Sequence, residues 1–364
     1  MPNTANNRIE ALDVFRGLAL ALMLLVNSPG SWSFVYAPFL HADWHGLTPT
    51  DLVFPFFLFV VGASMACSLR NKVVSTGLPW VSVLRRASLL FLIGFALNIV
   101  PFDQPPENWR VMGVLQRIGL SFLLVAVLIS FIKERWLALA GMMILICYWL
   151  IMIGLSDAPY SLNDNIVRHF DIFILGDTHL WQGKGLSFDP EGLLSTLPAA
   201  VTVLVGYIIG IKIQHYQDTK QQLKFLTLSG VILIITGSVW SIWHPINKSL
   251  WTGSFVLVTA GIACLTLSAI VLLWSAMKMR IGLTALQIYG SNPIFIYVAA
   301  WLFAVLLSRI TLGDPGLSLK AYGFSYLQSL MPDKAASLVY ALCFTLIFYA
   351  VAWVLYRKQI FVKL

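Results

Sequence analysis

Apolar stretches recur along the whole chain, each close to the length of about 20 residues that a helix needs to cross a hydrocarbon core of about 30 Å. Short polar intervals divide them. The pattern predicts ten helices over residues 12–28, 51–69, 84–100, 113–132, 136–155, 193–213, 223–243, 251–274, 284–308 and 336–356. The expected fold class is therefore all-α, a polytopic transmembrane helix bundle with almost no extramembrane domain. No internal repeat and no low-complexity linker interrupts the pattern, so residues 1–364 read as a single domain. The first stretch carries Asp13 and Arg16 at its start and Asn27 at its end, with no small-residue cleavage pattern behind it. It is expected to be a retained helix rather than a secretory leader.

Composition agrees with that reading, since 59% of the 364 residues are apolar and only 11% are charged, against about a quarter charged in an ordinary soluble domain. Charge then adds a direction. Sixteen of the 24 Lys and Arg, but only Glu10, Asp13, Glu134 and Asp218 among the acids, fall on the side shared by the two termini. The positive-inside rule predicts that both termini are cytoplasmic. The net charge of +8 is thus a product of topology and gives no reason to expect a nucleic-acid partner; anionic membrane lipid is the expected one. Cys67, Cys147, Cys264 and Cys343 lie inside apolar runs without CxxC spacing, which predicts small packing residues and neither disulfides nor a thiolate metal site.

The outer intervals carry the candidate chemistry. Residues 28–50 hold His41, Asp43, His45 and several aromatics, with no Lys or Arg; residues 156–192 form the longest connection and hold His169, Asp177, His179, Asp189 and Glu191. Five of the six histidines fall on this side, and long ordered loops of this kind are more often functional than decorative. The run from His41 to Asp51 leads into an apolar helix, where Asp51 suits the positive end of the helix dipole and equally suits orienting an imidazole through its second ring nitrogen. The four-residue spacing of His41 and His45 is that of zinc ligands on a helix, but Gly46 and Pro49 argue against a continuous helix there, so no metal site is expected.

Arg16, Asn27, Asn98, Gln116, Arg117, Gln287 and Asn292 are embedded in or beside the apolar spans, where polar groups face a partner or a watery cavity. Asn27 has two readings, an interhelical hydrogen bond or a donor to a developing oxyanion. Gln116 and Arg117 are placed to hold the acidic outer loops. Asp189 and Glu191 read either as helix-start carboxylates or as recognition groups for a cationic or polyhydroxyl substrate. Lys248 reads as an interface anchor, and Trp251 as a belt residue or a platform for a sugar ring. On the inner side Arg70, Arg85 and Arg86, and separately Lys278 and Arg280, suit anionic lipid or the phosphates of a nucleotide. No Walker A pattern and no Rossmann glycine fingerprint occurs in the chain.

Seven blocks in order give a resemblance: Asp13-Val-Phe-Arg-Gly-Leu-Ala-Leu20, the segment from His41 to Gly62, Gly113-Val-Leu-Gln-Arg-Ile-Gly119, Leu175-Gly-Asp-Thr-His-Leu-Trp-Gln182, Phe188-Asp-Pro-Glu-Gly192, Pro245-Ile-Asn-Lys-Ser-Leu-Trp251 and Tyr356-Arg-Lys-Gln-Ile-Phe361. Together they resemble the heparan-alpha-glucosaminide N-acetyltransferase family, and the chain is similar to its compact bacterial branch, without the large extracytoplasmic N-terminal domain of the animal enzyme. The resemblance implies transfer of acetyl from cytosolic acetyl-CoA to the amine of a terminal or free glucosamine on the extracytoplasmic side, in a multi-pass protein of the bacterial inner membrane. It implies that His41 and Asn27 serve acetyl transfer, with Asp51 beside them, and that Asp177, His179, Asp189, Glu191, Asn247 and Lys248 surround the acceptor; Trp251, read as a sugar platform, is expected with them. The basic inner residues Arg70, Arg85, Arg86, Lys278 and Arg280 then receive the nucleotide end of acetyl-CoA. A homodimer is compatible with this reading. An amino-sugar transporter is the competing class, favoured by paired broken helices or inverted repeats, neither of which the sequence displays.

Overall fold

The computed structural model describes residues 4–75, 77–216, 218–276, 280–312 and 316–362. Its helices are α1 (Thr4–Asn27), α2 (Val53–Ser75), α3 (Trp80–Ile99), α4 (Val114–Phe131), α5 (Leu137–Gly154), α6 (Ile166–Leu175), α7 (Thr196–His215), α8 (Thr219–Trp240), α9 (Gly253–Val271), α10 (Ile281–Tyr289), α11 (Pro293–Arg309), α12 (Leu319–Gln328) and α13 (Asp333–Arg357). Two-residue strands at Thr311–Leu312 and Leu317–Ser318 make a minimal antiparallel pair.

Among the described residues eight helices are long and apolar enough to cross a membrane: α2, α3, α4, α5, α7, α8, α9 and α13. A ninth span results if α10 and α11 count as one. The expected helix over 284–308 is in fact broken, with α10 and α11 meeting at a bend of 79°. Asn292 and Pro293 sit at the break. Proline cannot donate the next helical hydrogen bond, and the residue before it is pushed away from the helical region; Asn292 has φ −132° and ψ 54°. Its side chain holds the C-terminal tail instead, donating to the Ile360 carbonyl and accepting from the Val362 N–H. The remaining expected span, 12–28, lies in α1, which carries Glu10, Asp13 and Arg16. Arg16 is held in place there, with contacts of 2.7 Å to both Asp13 Oδ1 and Ser64 Oγ.

Burial separates central from peripheral helices. About seven tenths of the apolar windows of α2, α7 and α9 are enclosed, whereas α8 and α13 present most of their surface outward, as helices bordering lipid do. Apolar burial does not drive helices together in lipid, so close packing must. At the crossing of α2 and α7 a Cβ on Gly62 would collide with the Val203 carbonyl, and one on Gly206 with the Phe59 carbonyl. Cys264 is enclosed in this core, but Cys67, Cys147 and Cys343 lie at the bundle surface rather than in the packing positions expected, and all four are free.

One end of the bundle gathers every long connection. The Gly46 N–H donates to the Ile246 carbonyl, the Trp44 indole to the Tyr160 carbonyl, and the Val111 N–H to the His179 carbonyl. The start of α1 and the end of α13 lie at the opposite end, because α1 runs toward this loop cluster and α13 runs away from it, from Ser337, which bonds Ser31, to Arg357.

Candidate functional site

The loop before α2 turns in a 3-10 helix at Pro49–Leu52, and this turn buries Asp51 completely. Its Oδ2 accepts from the N–H groups of Ala42 (3.1 Å) and Thr48 (3.0 Å) and from the Thr48 hydroxyl (3.0 Å), while its Oδ1 lies 2.7 Å from His41 Nδ1. The two readings of Asp51 are therefore both realised, one on each oxygen. An ionised carboxylate oxygen this close to Nδ1 requires a proton between them, so Nδ1–H donates to Asp51, and in the neutral ring this tautomer leaves the Nε2 lone pair free.

Lys248, from the connection between α8 and α9, brings Nζ to 2.9 Å from His41 Nδ1, 3.3 Å from Nε2 and 3.5 Å from Asp51 Oδ1. Burial pushes its pKa below the ordinary lysine value, with the carboxylates of Asp51 and Glu191 pulling the other way. Asn247 is fully buried and builds the turn that presents Lys248: its Oδ1 accepts from the Leu250 N–H, and its Nδ2 lies 3.3 Å from His45 Nδ1. Asn27, His41, Glu191 and Lys248 line one cavity of about 90 Å³, with Phe54 and Val114 on its apolar wall. Among the described residues nothing hydrogen-bonds the Asn27 amide, so it is available to a ligand rather than spent between helices.

Glu191 reaches this cavity because its segment is gripped from three sides. Arg110 contacts Asp189 through both carboxylate oxygens at 2.8 and 2.7 Å and Glu191 at 2.6 Å. Burial opposes the Arg110 charge, but its ion pairs with Asp189 and Glu191 outweigh that and hold it firmly protonated. Arg117 donates to the Gly192 carbonyl and the Ser195 hydroxyl. Asp171 accepts from the N–H groups of Leu193 and Leu194, both at 3.0 Å. A Cβ on Gly192 would strike the Asp171 carboxylate, so only glycine fits this closeness. Burial pushes the Asp171 pKa up to about 7.

These placements correct several expectations. Asp189 is enclosed with both oxygens on Arg110, so it is a clamp and not a carboxylate open to substrate. Trp251 is 1% exposed; its indole N–H donates to Thr202 and the Arg117 guanidinium lies over its ring. It is a core residue and offers no face to a sugar. Asp177 and His179 do not line the His41 cavity. Asp177 is exposed, and His179 Nδ1 lies 2.8 Å from the Trp109 carbonyl oxygen, beside a second cleft of about 550 Å³.

At the opposite end Arg70 pairs with Glu134 at 2.8 Å, Arg85 is exposed, and Arg280 lies over the Trp274 ring. Arg86 turns inward over Phe122, its Nε buried without a hydrogen bond among the described residues. Lys278 lies outside the described residues. Among the described residues no three His, Cys, Asp or Glu side chains converge as a metal-binding group. Sequence reasoning missed Arg110 and Asp171. A single arginine in the interval 100–113, between Asp103, Glu107 and the acidic outer loops, was the available signal for Arg110; nothing marked Asp171.

Residues 8–237 match the family model described as heparan-alpha-glucosaminide N-acetyltransferase, catalytic. The chain belongs to this family. Two curated relatives carry the same name: the mouse protein, 26% identical over 422 aligned residues, and the human protein, 25% identical over 417, each covering 98% of this chain. The chain spans about 60% of the length of these relatives. Within this N-acetyltransferase family match fall Asn27, His41, Asp51, Arg110 and the clamped segment around Glu191, whereas Asn247 and Lys248 lie beyond it and enter only through the longer alignment with the relatives.

Proposed function

We propose that this multi-pass membrane protein transfers acetyl from acetyl-CoA to the amine of a glucosamine bound at the loop end of the bundle. The observation that carries the reading is the cavity where His41, oriented by Asp51, meets Lys248, Asn27 and Glu191, in a chain of the N-acetyltransferase family. The loop end is read as extracytoplasmic and both termini as cytoplasmic, in keeping with the basic residues gathered at the opposite end. The nucleotide end of acetyl-CoA then docks at that basic end through groups such as Arg85 and Arg280, and its pantetheine arm enters the bundle.

His41 Nε2 takes a proton from the sugar ammonium, and the freed amine attacks the thioester carbonyl carbon. The Asn27 amide hydrogen-bonds the carbonyl oxygen as negative charge builds on it. The C–S bond breaks, an amide forms, and CoA leaves as a thiol after taking up a proton. Glu191 attracts the ammonium into the cavity. Direct transfer suits this geometry better than an acetyl-histidine. An acetyl group on Nε2 would face Lys248 Nζ, 3.3 Å from that nitrogen in the free ring, an amine whose depressed pKa makes it a competing nucleophile.

Purified protein in detergent is expected to release CoA from acetyl-CoA only when glucosamine is supplied, without ping-pong kinetics and without label on the protein when sugar is omitted. CoA release independent of any amino sugar would overturn the reading. The α10–α11 break is the feature that favours a sugar carrier; glucosamine uptake into vesicles without acetylation would establish that alternative.

A further inference from the structure

The cavity at His41, about 90 Å³, is well below the roughly 300–1,000 Å³ of sites that enclose a small-molecule ligand. The second cleft, about 550 Å³, falls inside that range. It lies between the loop after α3 and the turn after α6, and its lining includes Asn98, Asn108, Trp109, Thr178, Trp181 and Gln182. Arg110 also lines this cleft, and its guanidinium is 2.6 Å from Glu191, which lines the His41 cavity. One ion pair thus links the linings of the two spaces.

The lining is that of a site for an uncharged polyhydroxyl ligand. Amides and hydroxyls offer both donors and acceptors, and indoles offer flat apolar faces with a polar edge. Among the described residues no protein hydrogen bond engages the Trp181 indole N–H, the Asn108 amide or the Thr178 hydroxyl, whereas the Trp109 indole is fixed on the Gln104 carbonyl. The charges at the cleft are already neutralised: Asp103 pairs with Arg309, and Arg110 with Asp189 and Glu191. Among the described residues lining the cleft, a polyanionic chain finds no free cation.

We propose that this cleft binds the second sugar residue of a glucosamine-terminated oligosaccharide of low charge, with the terminal amine delivered past the Arg110–Glu191 pair to His41. The proposal rests on the acetyltransferase reading of the His41 cavity. It makes Trp181 and Asn108 specificity residues that act on acceptor length.

The test compares glucosamine with the disaccharide in which glucosamine is β-1,4-linked to N-acetylglucosamine, whose second ring is uncharged, as acceptors. For the native protein kcat/KM is expected to favour the disaccharide by about tenfold, as one or two added hydrogen bonds and a stacked ring would give. In Trp181→Ala and Asn108→Ala this preference is expected to fall toward unity through KM for the disaccharide, with its kcat retained. A native protein that does not discriminate, or variants that weaken both acceptors equally, would overturn the proposal. Calorimetric binding of the disaccharide without acetyl-CoA separates the two readings. Binding that Trp181→Ala weakens about tenfold sustains the cleft even where no acetyl transfer occurs; absence of binding overturns it.

Discussion

Charged side chains crowd both ends of the bundle, but they are used differently. At the loop end they face each other: Arg110 grips Asp189 and Glu191, and Lys248 leans on His41 and Asp51. At the opposite end Arg85, Lys133, Lys212, Lys220 and Lys224 are exposed. Buried, mutually paired charges fix geometry, because each has only one place to go. Exposed charges of one sign create a field that salt screens and that orients the protein and attracts polyanions without fixing anything. The first arrangement suits chemistry on a positioned amine; the second suits capture of a flexible polyanionic donor.

The comparison breaks most visibly at His41. His41→Ala should reduce turnover by about 10²–10⁴-fold, the span of a general base, while leaving donor affinity close to native; His45→Ala should be milder. Near-native turnover by folded His41→Ala protein would remove the site from the loop end altogether.

The next effect separates a buried pair from an exposed one. Arg110→Ala leaves Asp189 enclosed without its partner, a cost of about 3–5 kcal/mol. Arg70→Ala removes a comparable contact to Glu134 near the surface, where such pairs contribute about 1 kcal/mol or less. Thermal unfolding in detergent should therefore rank Arg110→Ala far below Arg70→Ala, and equal losses would erase the distinction between the two ends. Smaller still, Arg85→Glu and Arg280→Glu are expected to raise the KM for acetyl-CoA several-fold, with the native KM rising as salt is added. A donor KM indifferent to both substitutions and to salt would place the nucleotide elsewhere.

How much of this was legible in the chain depended on range. Eight long apolar helices were, because each apolar run is local, and so was the polar segment from His41 to Asp51, which stands out beside an apolar span. The α10–α11 break carried a local signal in Gly290-Ser-Asn-Pro293 that averaging over a long apolar run hides. Trp251 misled because a tryptophan beside a lysine at a predicted interface has the same local sequence whether it faces lipid, sugar or the core. The partners of Arg110 and Asp171 were illegible for a different reason: each acts on a segment distant in sequence, 79 residues for Arg110 and Asp189, and 22 for Asp171 and Leu193. Only the folded bundle brings those segments together.

The smallest expected effect concerns Asp171. Its carboxyl is buried near Asp189, and its pKa rises from an ordinary 3.8 to about 7, although the Leu193 and Leu194 N–H groups and Arg117 favour its ionised form. A carboxyl whose folded pKa lies above its unfolded value binds its proton more tightly in the fold. That contribution to stability is complete below pH 3.8 and is lost progressively until pH rises through about 7. Native protein should accordingly lose stability between about pH 4 and 7, whereas Asp171→Asn, which keeps an acceptor for Leu193 and Leu194 but cannot ionise, should lose less over the same window. The divergence between the two melting curves should be confined to that window. The same divergence should appear in proteolysis of the 189–195 segment, since its anchor is what ionisation strains. Parallel pH profiles for native and variant protein would mean that Asp171 ionises at its ordinary value.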